Sequence, residues 1–461
     1  MIQCFIIVSQ SSRQTRLLFC TLFRFKNKGS IILSCLLFPA HLSCRLPMLI
    51  CFLAVGSLLQ GTSIASDIDL PQMLYVWQRL WTDEVKSAVR EASGSAEGLC
   101  VLCGEIAGRG EGWRFHRVNV DWASLAPVKG TLWLVFRIHT GALESEHWDA
   151  STFAGHVQKT LNDGADAGCV IAGIQIDYDC PTEKLTLYQN WLQVLRGKLA
   201  GIPVSITGLP DWLTSRRLPE LLAGLDHFVL QVHSLELDRE SGRQPVLFDE
   251  TKMMRWVGQM NSLMLPFRVA LPTYGWRIAY DRYGQPQRLE AEGIHEAVAG
   301  WTYQDVSADP AVLAGAVRKL AAVSGGNLKG IIWFRMPLPS DRMNWSLKTL
   351  RQVMKGDAPQ AHFEAELRLS DNHLVELWLA THDAAGLGRL CVRLHLQSGS
   401  ILASDLMRGF RQLKNTEERY ITVSGPVYSD GEKHMAGWWL LSGDSDSEVP
   451  ALSVEEIGLC P

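Results

Sequence analysis

The first 65 residues of this 461-residue chain contain no Asp or Glu, although six of the 44 Lys and Arg residues lie there. The remainder therefore has 38 basic residues against 48 acidic ones, a net charge of −10. It also lacks basic clusters, which argues against nucleic acid or an anionic lipid surface as its main partner. With 47% hydrophobic residues overall, the chain can fill a packed core.

The acid-free leader ends like a secretory signal. A short apolar core follows Arg45, and Ser63-Ile64-Ala65 has the small-x-small form of a signal-peptidase site. We interpret Arg45–Ala65 as a signal peptide that closes a leader of residues 1–65, with Met48 as a plausible true start. The alternative is an anchor helix beginning near Ile31, but the apolar core is shorter than the ~20 residues of a membrane span. Cleavage predicts a periplasmic or extracellular protein with no transmembrane segment left.

Several motifs of common enzyme classes are missing. No GxSxG occurs, and neither GxGxxG nor GxxxxGK[ST] follows the first predicted strand, which disfavours serine-hydrolase and nucleotide-binding sites. The one CxxC after the leader, Cys100-Val-Leu-Cys103, lies in an apolar run without a second CxxC or clustered His. Buried thiols are the favoured interpretation, and we predict no metal and no cofactor. Six cysteines in the exported part allow one or two disulfides but form no disulfide scaffold.

Residues 66–356 alternate apolar runs with amphipathic helical segments, which predicts a (β/α)8 TIM-type barrel. Continuous runs such as Val-Ile-Ala-Gly-Ile-Gln-Ile are typical of parallel strands that are covered on both faces. An open doubly wound sheet is the main alternative. The predicted strands are Leu74–Arg79, Leu99–Glu105, Thr131–His139, Val170–Asp179, Pro203–Thr207, His227–His233, Phe267–Tyr274 and Gly330–Met336.

Residues 357–461 change character. Five segments alternate apolar and polar residues between loops rich in Ser, Asp and Gly, which predicts a small antiparallel β-sandwich-like domain. Gly356–Gln360 is the predicted linker, and we expect an accessory or binding role for this domain.

Functional residues of a barrel lie at the C-terminal ends of its strands. The fourth predicted strand ends Gln175-Ile-Asp177-Tyr-Asp179, where the period of two places all three polar side chains on one face. Two neighbouring carboxylates can differ in pKa, as general acid–base catalysis requires. A structural network of these acids with arginines is the alternative. We predict Asp179, Asp177 and Glu105 as catalytic, and as substrate-binding Trp77, Arg79, Arg137, Gln175, His233, Tyr274, Trp276, Trp333 and Arg335.

Two stretches, Leu74–Thr82 and Gly173–Pro181, resemble a bacterial exported family known as domain of unknown function 3142. The resemblance spans about Asp67 to Lys355 and implies architecture and export rather than a reaction.

A more distant resemblance concerns the fourth strand, which is similar to that of chitinase-type (family 18) glycoside hydrolases with their Asp-x-Asp-x-Glu ending. The resemblance implies that Gln175 occupies the first Asp position and Asp177 the second, and that Asp179 occupies the position of the Glu acid. It also implies that Trp333 corresponds to the tryptophan that lies beneath the bound sugar in that family. The chain departs from the family where Gln175 cannot relay a proton, where Asp179 is shorter than Glu, and where Gln231-Val-His233-Ser234 replaces Met-x-Tyr-Asp.

These observations predict an exported glycoside hydrolase-like protein that acts on or binds a polysaccharide or oligosaccharide. A non-catalytic carbohydrate-binding or envelope-assembly protein on a degenerate barrel is the alternative, favoured by Gln175 and the shortened acid. A metal-dependent polysaccharide deacetylase is a third hypothesis, for which no His/Asp cluster is evident in the sequence. The long stretch Arg277–Asp309 after the seventh strand would form a lid or substrate wall, or else a surface excursion.

Overall fold

A computed structural model describes residues 2–11, 14–25, 28–39, 68–108, 112–144, 149–237, 244–291, 295–370, 373–382, 389–414, 417–427, 432–442 and 452–460. The chain divides into two compact units, residues 1–67 and 68–461. In the first unit, Ile2–Ser11, Gln14–Phe25 and Lys28–Pro39 form three antiparallel strands. Most of the stretch in which the anchor-helix alternative would place its helix lies in residues 40–67, outside the described residues. The predicted signal peptide and Met48 lie outside the described residues.

The second unit begins with eight parallel strands. Each is followed by a described helix, so the polypeptide repeats a strand–helix unit eight times within the described residues. The strands are β1 (Gln72–Val76), β2 (Gly98–Ala107), β3 (Thr131–Ile138), β4 (Ile171–Tyr178), β5 (Val204–Gly208), β6 (His227–Gln231), β7 (Phe267–Pro272) and β8 (Leu328–Phe334). The helices are α1 (Asp83–Ala92), α2 (Trp122–Leu125), α3 (Ala150–Asp166), α4 (Leu185–Lys198), α5 (Leu218–Leu222), α6 (Glu250–Ser262), α7 (Pro310–Ala322) and α8 (Leu347–Met354).

The parallel sheet is closed. Its strands pair in the order β1-β8-β7-β6-β5-β4-β3-β2, and β2 pairs back onto β1. Closure confirms the predicted (β/α)8 barrel and excludes the open doubly wound sheet. The sequence explains the helices locally, since the side chains of Thr82, Asp149 and Asp249 accept hydrogen bonds from backbone N–H groups at the starts of α1, α3 and α6.

The segment between β2 and β3, where no clear helix is predicted, contains the four-residue α2. Three short elements decorate the barrel: a strand that pairs antiparallel with β2, a hairpin after β6 and a three-stranded antiparallel sheet after β7. They are Arg114–Arg117; His233–Glu236 with Val246–Phe248; and Gly275–Tyr280, Pro286–Glu290 and Thr302–Ser307. The last of these occupies most of the long stretch noted after the seventh strand.

Eight further strands follow the barrel in the described residues and form two four-stranded antiparallel sheets, β9-β10-β15-β12 and β13-β14-β11-β16. They are β9 (His362–Ser370), β10 (Leu374–His382), β11 (Arg389–Leu396), β12 (Ser400–Leu406), β13 (Arg411–Leu413), β14 (Tyr420–Pro426), β15 (His434–Ser442) and β16 (Leu452–Leu459). The five predicted strands are all present. The sequence pattern missed β12, β13 and β16. The side chains of β12 are almost all exposed, so this strand has no apolar alternation.

The β-rich part has its own hydrophobic core, which includes Val375, Leu394 and Trp439, and the barrel core ends at Met354. The predicted boundary between residues 356 and 357 falls between the two cores and stays a prediction. A disulfide joins Cys391 of β11 to Cys460, which follows β16.

Candidate functional site

A row of charges crosses three neighbouring strands at the C-terminal end of the barrel. Glu105 of β2 is the register partner of Arg137 of β3, and Arg137 is the partner of Asp177 of β4. Aligned residues of parallel strands project to the same face of the sheet. The guanidinium therefore stands between two carboxylates, an arrangement that requires all three strands to be paired.

Arg137 also reaches Asp179, the acid that follows β4. Its Nη1 lies 3.8 Å from Asp177 Oδ2, and its Nη2 lies 4.0 Å from Asp179 Oδ2. Asp177 is nearly buried and accepts a 2.6 Å hydrogen bond from Thr207 Oγ1 on β5. The Asp179 side chain is 42% exposed. Burial at the mouth raises the pKa of Asp179, the negative charge of Asp177 raises it further, and Arg137 opposes both.

Glu105 has the opposite environment. Arg79 holds its carboxylate bidentately, with Nε 2.6 Å from Oε2 and Nη2 2.8 Å from Oε1. Burial alone would raise the pKa of Glu105, but the hydrogen bonds and charge of Arg79, helped by Arg137 and His139, lower it. His139 Nε2 lies 3.9 Å from Glu105 Oε1, and burial and the neighbouring arginines lower the pKa of this imidazole. The two carboxyl groups at the mouth are therefore shifted in opposite directions, with the pKa of Asp179 raised and that of Glu105 lowered.

Gln175 lies one layer below these charges and is completely buried. Its Oε1 accepts a 2.6 Å hydrogen bond from Tyr75 Oη, and its Nε2 donates to Ser205 Oγ at 2.9 Å. The prediction that Gln175 binds substrate is therefore corrected to a supporting role. Its amide ties β1, β4 and β5 together beneath Asp177, and both of its ends are already occupied.

Aromatic rings form a continuous cluster beside the charged row. The Phe334 ring lies 4.9 Å from Trp77, 5.5 Å from Tyr274 and 5.4 Å from the imidazole of His233, measured between centroids. Arg137 Cζ lies 5.7 Å from the Trp77 ring centroid, so the charged row and the aromatic cluster are contiguous. Trp77 and Tyr274 are almost fully covered, whereas Phe334 keeps partial exposure.

Trp333 lies outside this cluster, which corrects its predicted role of stacking on a sugar. It is fully buried, donates its Nε1–H to Gln72 Oε1 at 2.8 Å and packs 6.0 Å from the Trp345 ring. Because successive strand residues point to opposite faces, Trp333 faces the helical layer and Phe334 faces the barrel mouth. The sequence offers no signal for this choice, since both faces of β8 are apolar.

The remaining predicted residues line or support the same region. Tyr274 Oη lies 3.4 Å from His233 Nδ1, and burial lowers the pKa of His233 to about 3, so its imidazole is neutral. Arg335 is buried, donates a 2.6 Å hydrogen bond to Asp341 and lies over the Tyr274 ring. It therefore supports the position of Tyr274 from behind. Trp276 is partly exposed, and its ring lies 6.1 Å from that of Tyr274.

The CxxC cysteines are buried free thiols, as the sequence indicates, and burial raises the pKa of Cys100 to about 12. Among the residues whose positions are described, no three His, Cys, Asp or Glu side chains gather into a metal-binding set. Within the same residues, no helix has the length and hydropathy to cross a membrane.

Comparison with known families gives one match. Residues 132–339 match the family described as Domain of unknown function (DUF3142). The match confirms the predicted resemblance, although it is narrower than expected and leaves Leu74–Thr82 outside. It runs from β3 to just beyond β8, so the β-rich part of the chain also lies outside it. A comparison with curated proteins finds no match.

Among solved structures, the chain is similar to the spore cortex-lytic enzyme SleL of Bacillus cereus, at 13% identity and a TM-score of 0.44, over 63% of this chain and 74% of that one. It is also similar to the GH18 chitinase ChiB of Flavobacterium johnsoniae, at 11% identity and a TM-score of 0.42, over 62% and 93%. A third similar structure is the xylanase and alpha-amylase inhibitor XAIP-II of Scadoxus multiflorus. The identity is 14% and the TM-score 0.38, and the similarity covers 63% of this chain and 99% of that one.

Proposed function

We propose that the barrel hydrolyses glycosidic bonds of a polysaccharide, with Asp179 as the general acid. The main observation that supports this proposal is that the pKa values of two carboxyl groups at the barrel mouth are shifted in opposite directions. Burial and Asp177 raise the pKa of Asp179, whereas Arg79 lowers the pKa of Glu105. Glycoside hydrolysis uses such a pair, one group protonated to serve the leaving oxygen and one ionised to stabilise positive charge on the sugar.

The proposed steps follow from these positions. Asp179, which follows β4 and is more exposed than Asp177, gives its proton to the glycosidic oxygen as the C–O bond breaks. Water then forms the new bond to the anomeric carbon and gives its proton to the Asp179 carboxylate, which restores the acid. Asp177 is the electrostatic partner whose negative charge raises the pKa of Asp179, and Thr207 fixes the orientation of Asp177 by donating to Oδ1. Glu105 is the second carboxylate, and its bidentate pairing with Arg79 suits charge stabilisation better than proton abstraction.

Substrate stacking is assigned to the aromatic side chains that retain exposure. Phe334 and Trp276 present partly exposed rings, while Trp77 and Tyr274 pack behind them. Aromatic faces beside convergent polar groups are typical of sites for ligands that have both apolar and hydroxyl-bearing surfaces.

Export is part of the proposal. The disulfide between Cys391 and Cys460 supports an oxidising compartment, as do the signal features of Arg45–Ala65. The expected result is a chain recovered from the periplasm or medium with its N-terminus near residue 66. N-terminal sequencing of the exported chain tests this, and a retained leader would contradict it.

The catalytic proposal is tested by release of reducing ends from chitin, cellulose, α-glucan and purified peptidoglycan. Wild type should release ends from at least one of them, and Asp179→Asn should lower kcat by about 10²–10⁴-fold, the usual contribution of a general acid. Asp166→Asn, at an exposed position of α3, is the matched control and should leave the rate unchanged. Equal rates for Asp179→Asn and wild type would refute the assignment.

A non-catalytic carbohydrate-binding role is the second candidate, and the complete pairing of Glu105 by Arg79 favours it. In that case wild type would bind one of the same polymers without releasing ends. Phe334→Ala would then weaken binding, whereas Asp179→Asn would not.

A further inference from the structure

The outer face of the sheet β9-β10-β15-β12 carries tryptophans where a sandwich usually presents polar residues to water. Val375, Leu377 and Leu379 of β10 are buried in the core, so the alternate positions of this strand point outward. One of these is Trp378. On β15, Trp439 is buried and Trp438 points outward with partial exposure.

The register places these tryptophans side by side. Trp438 is paired with Glu376, and Trp378 is paired with Met435 after a bulge in β15. The two residues are therefore diagonal neighbours on adjacent strands. Such positions on an antiparallel pair lie ~7–8 Å apart, which is within the reach of aromatic side chains.

Charged residues frame the tryptophans on both outer strands. Arg368 and Glu366 of β9 are the partners of Glu376 and Trp378, and Asp405 of β12 is the partner of Trp438. We call the whole surface the outer tryptophan face. It consists of Glu366, Arg368, Glu376, Trp378, Lys433, Met435, Trp438 and Asp405.

Hydrogen bonds and ion pairs fix this surface before any ligand arrives. Arg368 Cζ stands 4.5 Å from the Trp378 ring centroid, and Trp378 Nε1 donates to Glu376 Oε2 at 2.8 Å. Glu366 accepts from Arg368 at 2.9 and 3.1 Å and from Lys433 at 2.7 Å, and these bonds lower its pKa to about 2. Such preorganisation reduces the entropy lost on binding.

The charge balance selects the kind of ligand. The face has three carboxylates and two cations, and both cations are paired with Glu366, so its net charge of −1 offers no positive surface to a polyanion. Its open groups are aromatic rings next to hydrogen-bonding carboxylates and a guanidinium. This combination fits an uncharged chain that alternates apolar C–H faces with hydroxyl groups.

We propose that the outer tryptophan face is a second polysaccharide-binding surface, separate from the barrel mouth. The identity of the ligand as polysaccharide rests on the proposed function of the barrel. The β-rich part lies outside the family match, which is consistent with a role separate from the barrel's. Two sites for one polymer on one chain raise the effective concentration of substrate at the barrel.

The test measures depletion of the full chain by insoluble chitin, cellulose and purified peptidoglycan, in the Asp179→Asn background so that the polymers stay intact. Trp378→Ala combined with Trp438→Ala should weaken binding by roughly tenfold or more, because two aromatic contacts are lost. The matched variant with Phe at both positions should retain most of the affinity. In an otherwise wild-type chain, the Ala pair should leave hydrolysis of short soluble oligosaccharides unchanged.

Unchanged depletion of the Ala pair, or no depletion of the parent chain by any of the three polymers, would overturn the proposal. A concentration-dependent dimer that the Ala pair abolishes in light scattering, with polymer binding unchanged, would instead assign the face to self-association. Loss of binding in the Ala pair together with full turnover by Asp179→Asn would remove the catalytic assignment and leave the surface standing.

Discussion

Removing Arg79 is the sharpest test of the electrostatics at the barrel mouth. Its guanidinium makes two hydrogen bonds, of 2.6 and 2.8 Å, to a Glu105 side chain that is only 9% exposed. Arg79→Met keeps most of the aliphatic stem and removes the charge. Glu105 then stays in a poorly hydrated position without its main partner.

The magnitude follows from burial. Breaking a fully buried ion pair by deleting one member destabilises a protein by about 3–5 kcal/mol. The Arg79 side chain is 41% exposed, so water already screens part of the interaction. We therefore expect Arg79→Met to lower the free energy of unfolding at pH 7 by about 2–3 kcal/mol. Glu105→Gln should lower it by about 1 kcal/mol, because Arg79 can turn toward water.

The effect depends on pH in a defined direction. Because the folded-state pKa of Glu105 is lowered, the pair stabilises the protein above the ordinary Glu value of ~4.3. That stabilisation is lost as the pH falls through the folded-state pKa. In Arg79→Met, burial raises the pKa of Glu105, so lowering the pH protonates it and relieves the strain. The difference between wild type and Arg79→Met should therefore be largest near pH 7 and shrink toward pH 3.

Urea unfolding followed by tryptophan fluorescence measures these differences by linear extrapolation. The double variant Arg79→Met with Glu105→Gln completes a cycle that isolates the pair from the other contacts of Arg79. A coupling energy near zero, or a loss of stability equal at pH 7 and pH 3, would refute the proposed electrostatics.

Two further predictions concern single contacts. Thr207→Val removes the hydroxyl that donates to Asp177 and should destabilise by about 1–3 kcal/mol in urea unfolding. Thr207→Ser keeps that hydroxyl, so equal losses in the two variants would contradict the role of the bond. Cys460→Ala opens a disulfide that links residues 69 apart and should destabilise by about 2–4 kcal/mol. Wild type in reductant should match the variant, and no difference between oxidised and reduced wild type would contradict a stabilising bridge.

Local patterns were sufficient for much of the fold. The continuous apolar runs predicted all eight barrel strands, because this signal depends on neighbours in the chain. The period of two also placed Asp177 on one face with Gln175, and the structure keeps them on one face in successive layers. The sequence likewise indicated buried thiols at Cys100 and Cys103.

The roles of individual site residues were decided by tertiary structure. The sequence predicts that Gln175 binds substrate, whereas in the structure Tyr75, 100 residues away, donates a hydrogen bond to its amide oxygen. Trp333 and Phe334 are adjacent aromatic residues on a strand that is apolar on both faces. Only closure of the barrel directs Trp333 outward to Gln72, 261 residues away, and Phe334 toward the barrel mouth.

The difference in charge between residues 1–65 and the rest of the chain follows from the sequence alone, because composition does not depend on folding. The environment of each acid depends on folding. Arg79 comes to lie beside Glu105, and Arg137 comes to lie beside Asp177 and Asp179, only when β1 to β4 align. Charges act through space at distances that the chain sets only after it closes. The sequence therefore determined which ionisable groups were available, and the barrel decided that the pKa of Asp179 is raised while that of Glu105 is lowered.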